Sequence, residues 1–540
     1  MVREKMSTPI RHKPSVKGTE GLLARCKAMN EQQLYASSAA ITSFLISEDA
    51  RSTEVYMVNA EALHGLGEYL RAAEVYKQAH ECLSEAEQKG EEGAKVLQAM
   101  AECYGKGDQQ RKQLATLLSI PEELRTVRVH VEIAKLQHRA GAADKALSAL
   151  KSALDDAPLA IEMIEELVWA GQSEEEIMSH FRCMVEKGWL LDFIRARVQH
   201  AMYDYKGALQ SYKQVAEAFP ENLEVMSGMA TCQLHTRDVV GATKAFERVH
   251  EKDRHYLDRM EEYGSALKAT GSSAKLNIVG YELVNVSPQR PEGWIVCSMY
   301  MECQEEKELA LEYAERAIQV APRSSAALIQ RGRIQLDAEK YDLALMSFRE
   351  ALGIAKSIHA YQGLVRGYIG ARRVKEAITT ARESLQQMPK NAQAFKLVGL
   401  ALAQLPEGVS KAKTAFERAI QLDPTCPESV LELVDILEEE NKLQESVEVM
   451  ERFVSKTESD VAHCRLGDLY LKLGRFQNAL VSYHNALSAH PGMEAATIGL
   501  SRLEKAMKGI DPDGDGELEK DSYDSMGTPS TPRGMDVMDR

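Results

Sequence analysis

From about Leu190 to Pro491 small, apolar and aromatic residues return in a fixed order: Leu-Gly, a Tyr three residues on, Gly-Arg-Phe, then Ala, an aromatic, Ala and Pro. The fullest copy, Leu466 to Pro491, reads LGDLYLKLGRFQNALVSYHNALSAHP. Parts of it recur as GEYLRAAEVYKQA from Gly67 and EKYDLALMSFREAL from Glu339. The apolar spacing is helical, and Gly and Pro punctuate it twice per unit, so each phrase predicts two helices joined by a short turn. Because the phrase repeats, function is sought in an array.

The spacing matches the 34-residue tetratricopeptide template. Trp294, Cys297, Ser298, Met301, Ala310, Ala314, Ala317 and Pro322 fall at its positions, as do His463, Leu466, Gly467, Tyr470, Ala479, Tyr483, Ala486 and Pro491. The register holds between them through Gly332, Ala344, Phe348, Tyr361, Ala377 and Pro389, with one extra residue placed in the turn from Leu405 to Ser410. Units at 97–120, 133–158, 161–187 and 430–453 are weaker, and that at 161–187 is too short for a full repeat. The prediction is an all-α tetratricopeptide solenoid or superhelix of roughly thirteen helix pairs. In each pair a small residue such as Gly332, Gly399 or Gly467 is expected where the second helix crosses, answered by Ala344, Ala412 or Ala479. Phe348, Phe416 and Tyr483 would fill the space between pairs, and Pro322, Pro389, Pro424 and Pro491 would stop the second helix.

Outside the array, 1–18 reads as a flexible basic tail. Residues 19–188 read as N-terminal helices and degenerate repeats, the dimerisation half, in which 19–47 is a cap or dimerisation element; 189–506 reads as the regular superhelix, and 507–540 as a disordered acidic Ser-Pro tail. At 540 residues the chain is too long for one ordinary core, and a solenoid adds core as it lengthens. Aromatics at 6% leave the buried surface mostly to aliphatics and Ala. A net charge of −15 argues against devotion to nucleic acid. The nine Cys have no metal-like pairing and read as reduced thiols, and no stretch reads as a secretion signal or a membrane span. The expected location is the nucleus and cytoplasm.

Candidate chemistry is sparse. No phosphate-loop, nucleophile-elbow, zinc-protease or dinucleotide motif occurs, so no catalytic residue, no cofactor and no small-molecule substrate are expected. Asp511, Asp513 and Asp515 open like a calcium loop, but its twelfth position is Ser522 instead of Glu, which leaves a look-alike and no metal site. His463 and His484 read as ordinary helical residues. On first helices the face turned away from the partner carries Ile329, Arg333 and Leu336, then Gln362, Arg366 and Ile369, with Lys396 one unit on. Arg333, Gln362, Arg366 and Lys396 are therefore the candidate partner-binding residues, a basic spot suited to an acidic or C-terminal carboxylate segment. Thr8, Thr528 and Thr531 precede Pro and are candidate phosphorylation sites.

The succession MAECYGKGDQQRKQLATLL, LDRMEEYGSALKATG, PEGWIVCSMYMECQEEKELALEYAERAIQVAPRSSAALIQRG and CRLGDLYLKLGRFQNALVSYHNALSAHP closely resembles the seventh-subunit family of the anaphase-promoting complex, from about Met57 to Leu503. The resemblance implies a non-catalytic scaffold of a ubiquitin ligase that acts in mitosis. It also implies other tetratricopeptide and scaffold subunits as partners and a homodimer formed through the N-terminal half. Catalysis in that assembly belongs to cullin and RING subunits, and the leader before the first repeat is shorter than the family pattern. Adaptors of ciliary or transport assemblies, or of chaperones, use the same repeats and are the alternatives.

Overall fold

The computed structural model describes residues 16–48, 52–182, 187–389, 391–457 and 459–508. The tails holding Thr8, Thr528, Thr531, Asp511, Asp513 and Asp515 lie outside the described residues. Among the described residues there are thirty α-helices, α1 to α30 in chain order, and no strand. Their α1 (Val16–Glu31) and α2 (Tyr35–Glu48) precede thirteen pairs, from α3–α4 (Thr53–Gly65, Tyr69–Cys82) to α28–α29 (Asp460–Lys472, Phe476–Ala489), with α30 (Glu494–Met507) packed on the last. The short helix Glu85–Gln88 stands apart from this pairing. The weak unit after Ile161 is indeed small: α10 (Ile164–Trp169) and α11 (Glu174–Arg182). A 3₁₀ turn at Pro406–Gly408 accommodates the slip in register. The chain forms two compact units that part between Asn391 and Ala392; position 188 lies inside the first.

The turns inside five successive pairs share one geometry. Tyr203, Arg237, Gly271, Glu305 and Glu339 stand 34 residues apart and all adopt left-handed backbone, with φ between 58° and 68°. Such a residue ends the first helix and aims the chain back along it. Only Gly271 takes this conformation without steric cost, so the other four are held there by the packing of the pair. Second helices then begin on side-chain caps where the sequence supplies them: Asp204 accepts the Gly207 N–H at 3.1 Å and Asp238 the Gly241 N–H at 2.9 Å.

The packing corrects the expectation about glycine. Gly332 on α20 (Ser325–Asp337) does not admit the backbone of its partner; it admits a ring. A Cβ there would lie 2.8 Å from Phe348 of α21 (Tyr341–Ile354), and one at Gly363 on α22 (Ile358–Gly370) would lie 2.3 Å from the same ring. Phe348 is thus fully buried between two glycines of successive first helices. Tyr483 repeats the arrangement in the second unit between Gly467 and Gly499, with its hydroxyl donating to Asp468 Oδ1 at 2.7 Å. Gly399 faces Phe416, and Gly228 faces Tyr212. Ala344, Ala412 and Ala479 are fully buried as expected.

The N-terminal helices join the array through polar contacts as well as apolar ones. Leu23 and Leu45 are buried against Val55 and Val58, while Asn59 Nδ2 donates to Thr42 Oγ1 at 2.7 Å. Phe44 remains 73% exposed, and Leu22 and Leu34 are also open.

Candidate functional site

Within the first unit the first helices line a cavity of about 620 Å³. Arg333 from α20 and Gln362 and Arg366 from α22 all reach it, so the repeat-equivalent face did identify residues that meet in space. Opposite them stand Glu261 and Glu262 at the start of α16 (Met260–Ala269). Ile295, Met299 and Ile329 supply apolar wall.

The charges are unevenly matched. Glu302, on α18 (Pro291–Cys303), accepts from Gln330 Nε2 at 2.9 Å and pairs with Lys268 at 2.5 Å and Arg333 at 3.6 Å. Burial works to raise its pKa, but Arg333, Lys268 and Gln330 outweigh burial and hold the carboxyl below its ordinary range. Glu262 is raised by burial, and is opposed in this by the Thr231 hydroxyl that donates to it and by Arg259. Arg259 occupies a left-handed position at the head of α16 and donates to Ser227 Oγ at 3.3 Å. Glu261 is raised further: burial, reinforced by the charge of Glu262, pushes its carboxyl up to about 8 against the opposing pull of its own backbone N–H and Arg259. Arg333 is engaged by Glu302, whereas Arg366 is exposed with no carboxylate partner among the described residues.

Lys396 departs from the expectation. It lies on the first helix of the second unit and is only 5% exposed. Burial of its stem leaves its charge to act on Glu432, whose carboxyl burial raises and Lys396 lowers. It is a packed cation and not an open groove residue.

The sequence did not single out the aromatic wall. His200 lies one residue before the end of α12 (Gly188–Ala201), His235 ends α14 (Leu223–His235), and Tyr205 opens α13 (Tyr205–Ala218). Tyr205 stacks on His235 with centroids 4.2 Å apart, and His235 stacks on His359 of α22 at 5.5 Å. The Tyr203 hydroxyl donates to the Lys356 carbonyl, tying the α12–α13 turn to the segment just before α22. Burial lowers His235 to about 4 and places His200 well below its usual value. Histidines that look scattered along the chain therefore meet here. The signal was available: His200 and His235 lie in the last turns of successive first helices, whereas His359 follows no such register. His463 and His484 lie in the second unit, the first with a buried, unpartnered Nδ1 and the second exposed.

Elsewhere, the described cysteines are all free thiols, and no three His, Cys, Asp or Glu are grouped to hold a metal among the described residues. No helix among the described residues is long and apolar enough to cross a membrane.

Tetratricopeptide-repeat family profiles match residues 199–268, 304–357 and 461–492. The first covers Glu261 and Glu262 and the second Arg333, while Gln362 and Arg366 lie beyond both. Anaphase-promoting complex subunit 7 of Arabidopsis thaliana is 31% identical over 401 residues, which span 72% of each chain. The chain belongs to the anaphase-promoting complex subunit 7 family. Other subunit 7 relatives agree: that of Dictyostelium discoideum is 24% identical across 92% of both chains. That of Homo sapiens is 25% identical over 76% of this chain and 74% of its own. A chain of a solved APC/C hetero-tetramer aligns with 90% of this one at 14% identity and a TM-score of 0.48.

Proposed function

We propose that this chain is a non-catalytic scaffold subunit of the anaphase-promoting complex, a ubiquitin ligase of the cell cycle, working in the nucleus and cytoplasm. The observation that carries this reading is the subunit 7 relationship over 72% of both chains, joined to an architecture of stacked helix pairs. Such an array holds long surfaces in fixed geometry. Its partners are the other tetratricopeptide and scaffold subunits of that ligase. Dimerisation through the N-terminal half is supported by the open Leu22 on α1, Leu34 in the turn after it and Phe44 on α2, apolar side chains that a second copy would cover. In the first unit the groove seats an extended segment of a partner protein, and Arg366, with Gln362 beside it, receives a carboxylate from that segment.

The test is biochemical. The purified chain, given ubiquitin and its activating and conjugating enzymes, should transfer none to a mitotic cyclin, while the same chain captured from mitotic extract should bring that activity with it. Ubiquitin transfer by the isolated chain, or capture without activity, would contradict the proposal.

A further inference from the structure

In a solenoid each helix pair touches its neighbours along the chain, and those contacts set the pitch of the coil. The first unit departs from this at three points. Arg323, just before α20, reaches back 218 residues and donates from Nη2 to the Gly105 carbonyl at 3.3 Å. Tyr203 donates to the Lys356 carbonyl across 153 residues, and His235 stacks on His359. One side of this seam is a row of first-helix ends: Gly105 in α6 (Glu91–Lys106), Arg139 in α8 (Val127–Arg139), His235 in α14, and Tyr203 in the turn after α12. The other side is where the chain enters α20 and α22. A helix C-terminus leaves its last carbonyls without intrahelical partners and carries partial negative charge, so a cation from across the seam settles there. Closure also gathers like charges. Arg139 is lowered by burial and then by Arg323, though Glu166, Glu132 and Asp108 oppose this; His138 is lowered by burial and then by Lys356 and Arg139.

These three contacts are polar or ring-to-ring, whereas the apolar clusters follow the chain: one gathers residues from Tyr56 to Leu136, the next from Ala134 to Val198, another from Ala230 to Ala327. We infer that the three contacts form a separable clasp that closes the first unit on itself, and that the unit opens there while its helix pairs stay folded. Each such contact shifts an equilibrium by about two- to tenfold, far less than the apolar packing inside a pair. The clasp can therefore yield first. Tyr203, Tyr205, His235 and His359 are at once part of this seam and lining of the cavity, so the clasp sets how wide the cavity stands. The device is independent of which partner the groove takes.

The test places genetically encoded spin labels in the full chain at Gln109 and Gln319, exposed positions on the two sides of the Arg323–Gly105 contact. Labelled chain is diluted in unlabelled chain, so that pulsed dipolar spectroscopy reads distances within one molecule. Wild type should give one narrow distance. The triple variant Arg323→Ala, Tyr203→Phe, His359→Ala should add a longer one, its population at least fivefold above any in wild type, with helix content by circular dichroism unchanged. Arg323 and His359 are exposed, so their loss leaves the packed core intact. Phe348→Ala, which weakens the packing between pairs without touching the clasp, should lower the melting midpoint and add no long distance. A triple variant as narrow as wild type, or a wild type already dominated by the long distance, would overturn the clasp. Opening accompanied by loss of helix, or produced equally by Phe348→Ala, would overturn its separability.

Discussion

The seam around Phe348, where a ring from a second helix closes on two first helices, and the groove wall around Glu261 belong to the same unit, yet they are resolved in opposite ways. At the seam every group is satisfied: a fully buried ring lies against Gly332 and Gly363, and Ala344 beside it is also closed. At the wall, Gln330 Oε1 and Glu261 Oε2 are closed off without a hydrogen-bond partner. Gln330 and Gly332 are two residues apart on one helix, so local helix propensity does not account for the difference. The face turned to the next helix is optimised for packing; the face turned to the groove carries a cost that a partner would relieve.

Substitutions in the seam should show the largest effects. Phe348→Ala, which empties a fully buried site bounded by glycines, should destabilise by about 3–5 kcal/mol, read as a lower denaturant midpoint. Gly363→Ala drives a methyl to within 2.3 Å of that ring and should cost about 1–3 kcal/mol. In the second unit, Ala479→Leu should cost the same range by crowding a fully closed position, and an unchanged melting curve would contradict the packing scheme.

The wall should respond with the reverse sign. The folded chain retains the Glu261 proton to about pH 8, while the unfolded chain releases it near 4.5, so stability should decline as pH rises across that interval. Glu261→Gln should flatten the decline. His235 titrates at about 4 when folded and near 6.5 when unfolded. The unfolded chain therefore gains its proton first on acidification, and stability should fall from pH 6.5 towards 4. His235→Phe, which keeps a ring against Tyr205, should lessen that fall, the remainder coming from histidines such as His200 that are lowered in the same way, as thermal melts across pH would reveal.

The smallest effect is expected at the turns. Glu339→Gly relieves a left-handed backbone at φ 58° and should stabilise by about 1 kcal/mol or less, whereas Gly271→Glu should do the opposite.

How much of this was legible in the sequence follows from the same contrast. The seam is periodic, so one copy of the phrase explains the others, and the repeat equivalence of Arg333 and Arg366 placed them correctly in one groove. The role of glycine was misjudged because spacing shows which positions must be small without showing what fills the space. Lys396 was misplaced because the repeat register assigns a face but not a depth. Glu261 carried no signal at all: an acid in a first helix is unremarkable until tertiary curvature encloses it, and the meeting of His235 with His359 depends on residues 124 positions apart.

The most direct test of the account is the composition of what the full chain assembles with in mitotic cells, measured by affinity purification and quantitative mass spectrometry. The account predicts cullin and RING subunits of the anaphase-promoting complex in fixed proportion to the chain, with recovery unaffected by Glu261→Gln. Recovery of ciliary coat proteins or chaperones in their place would contradict it.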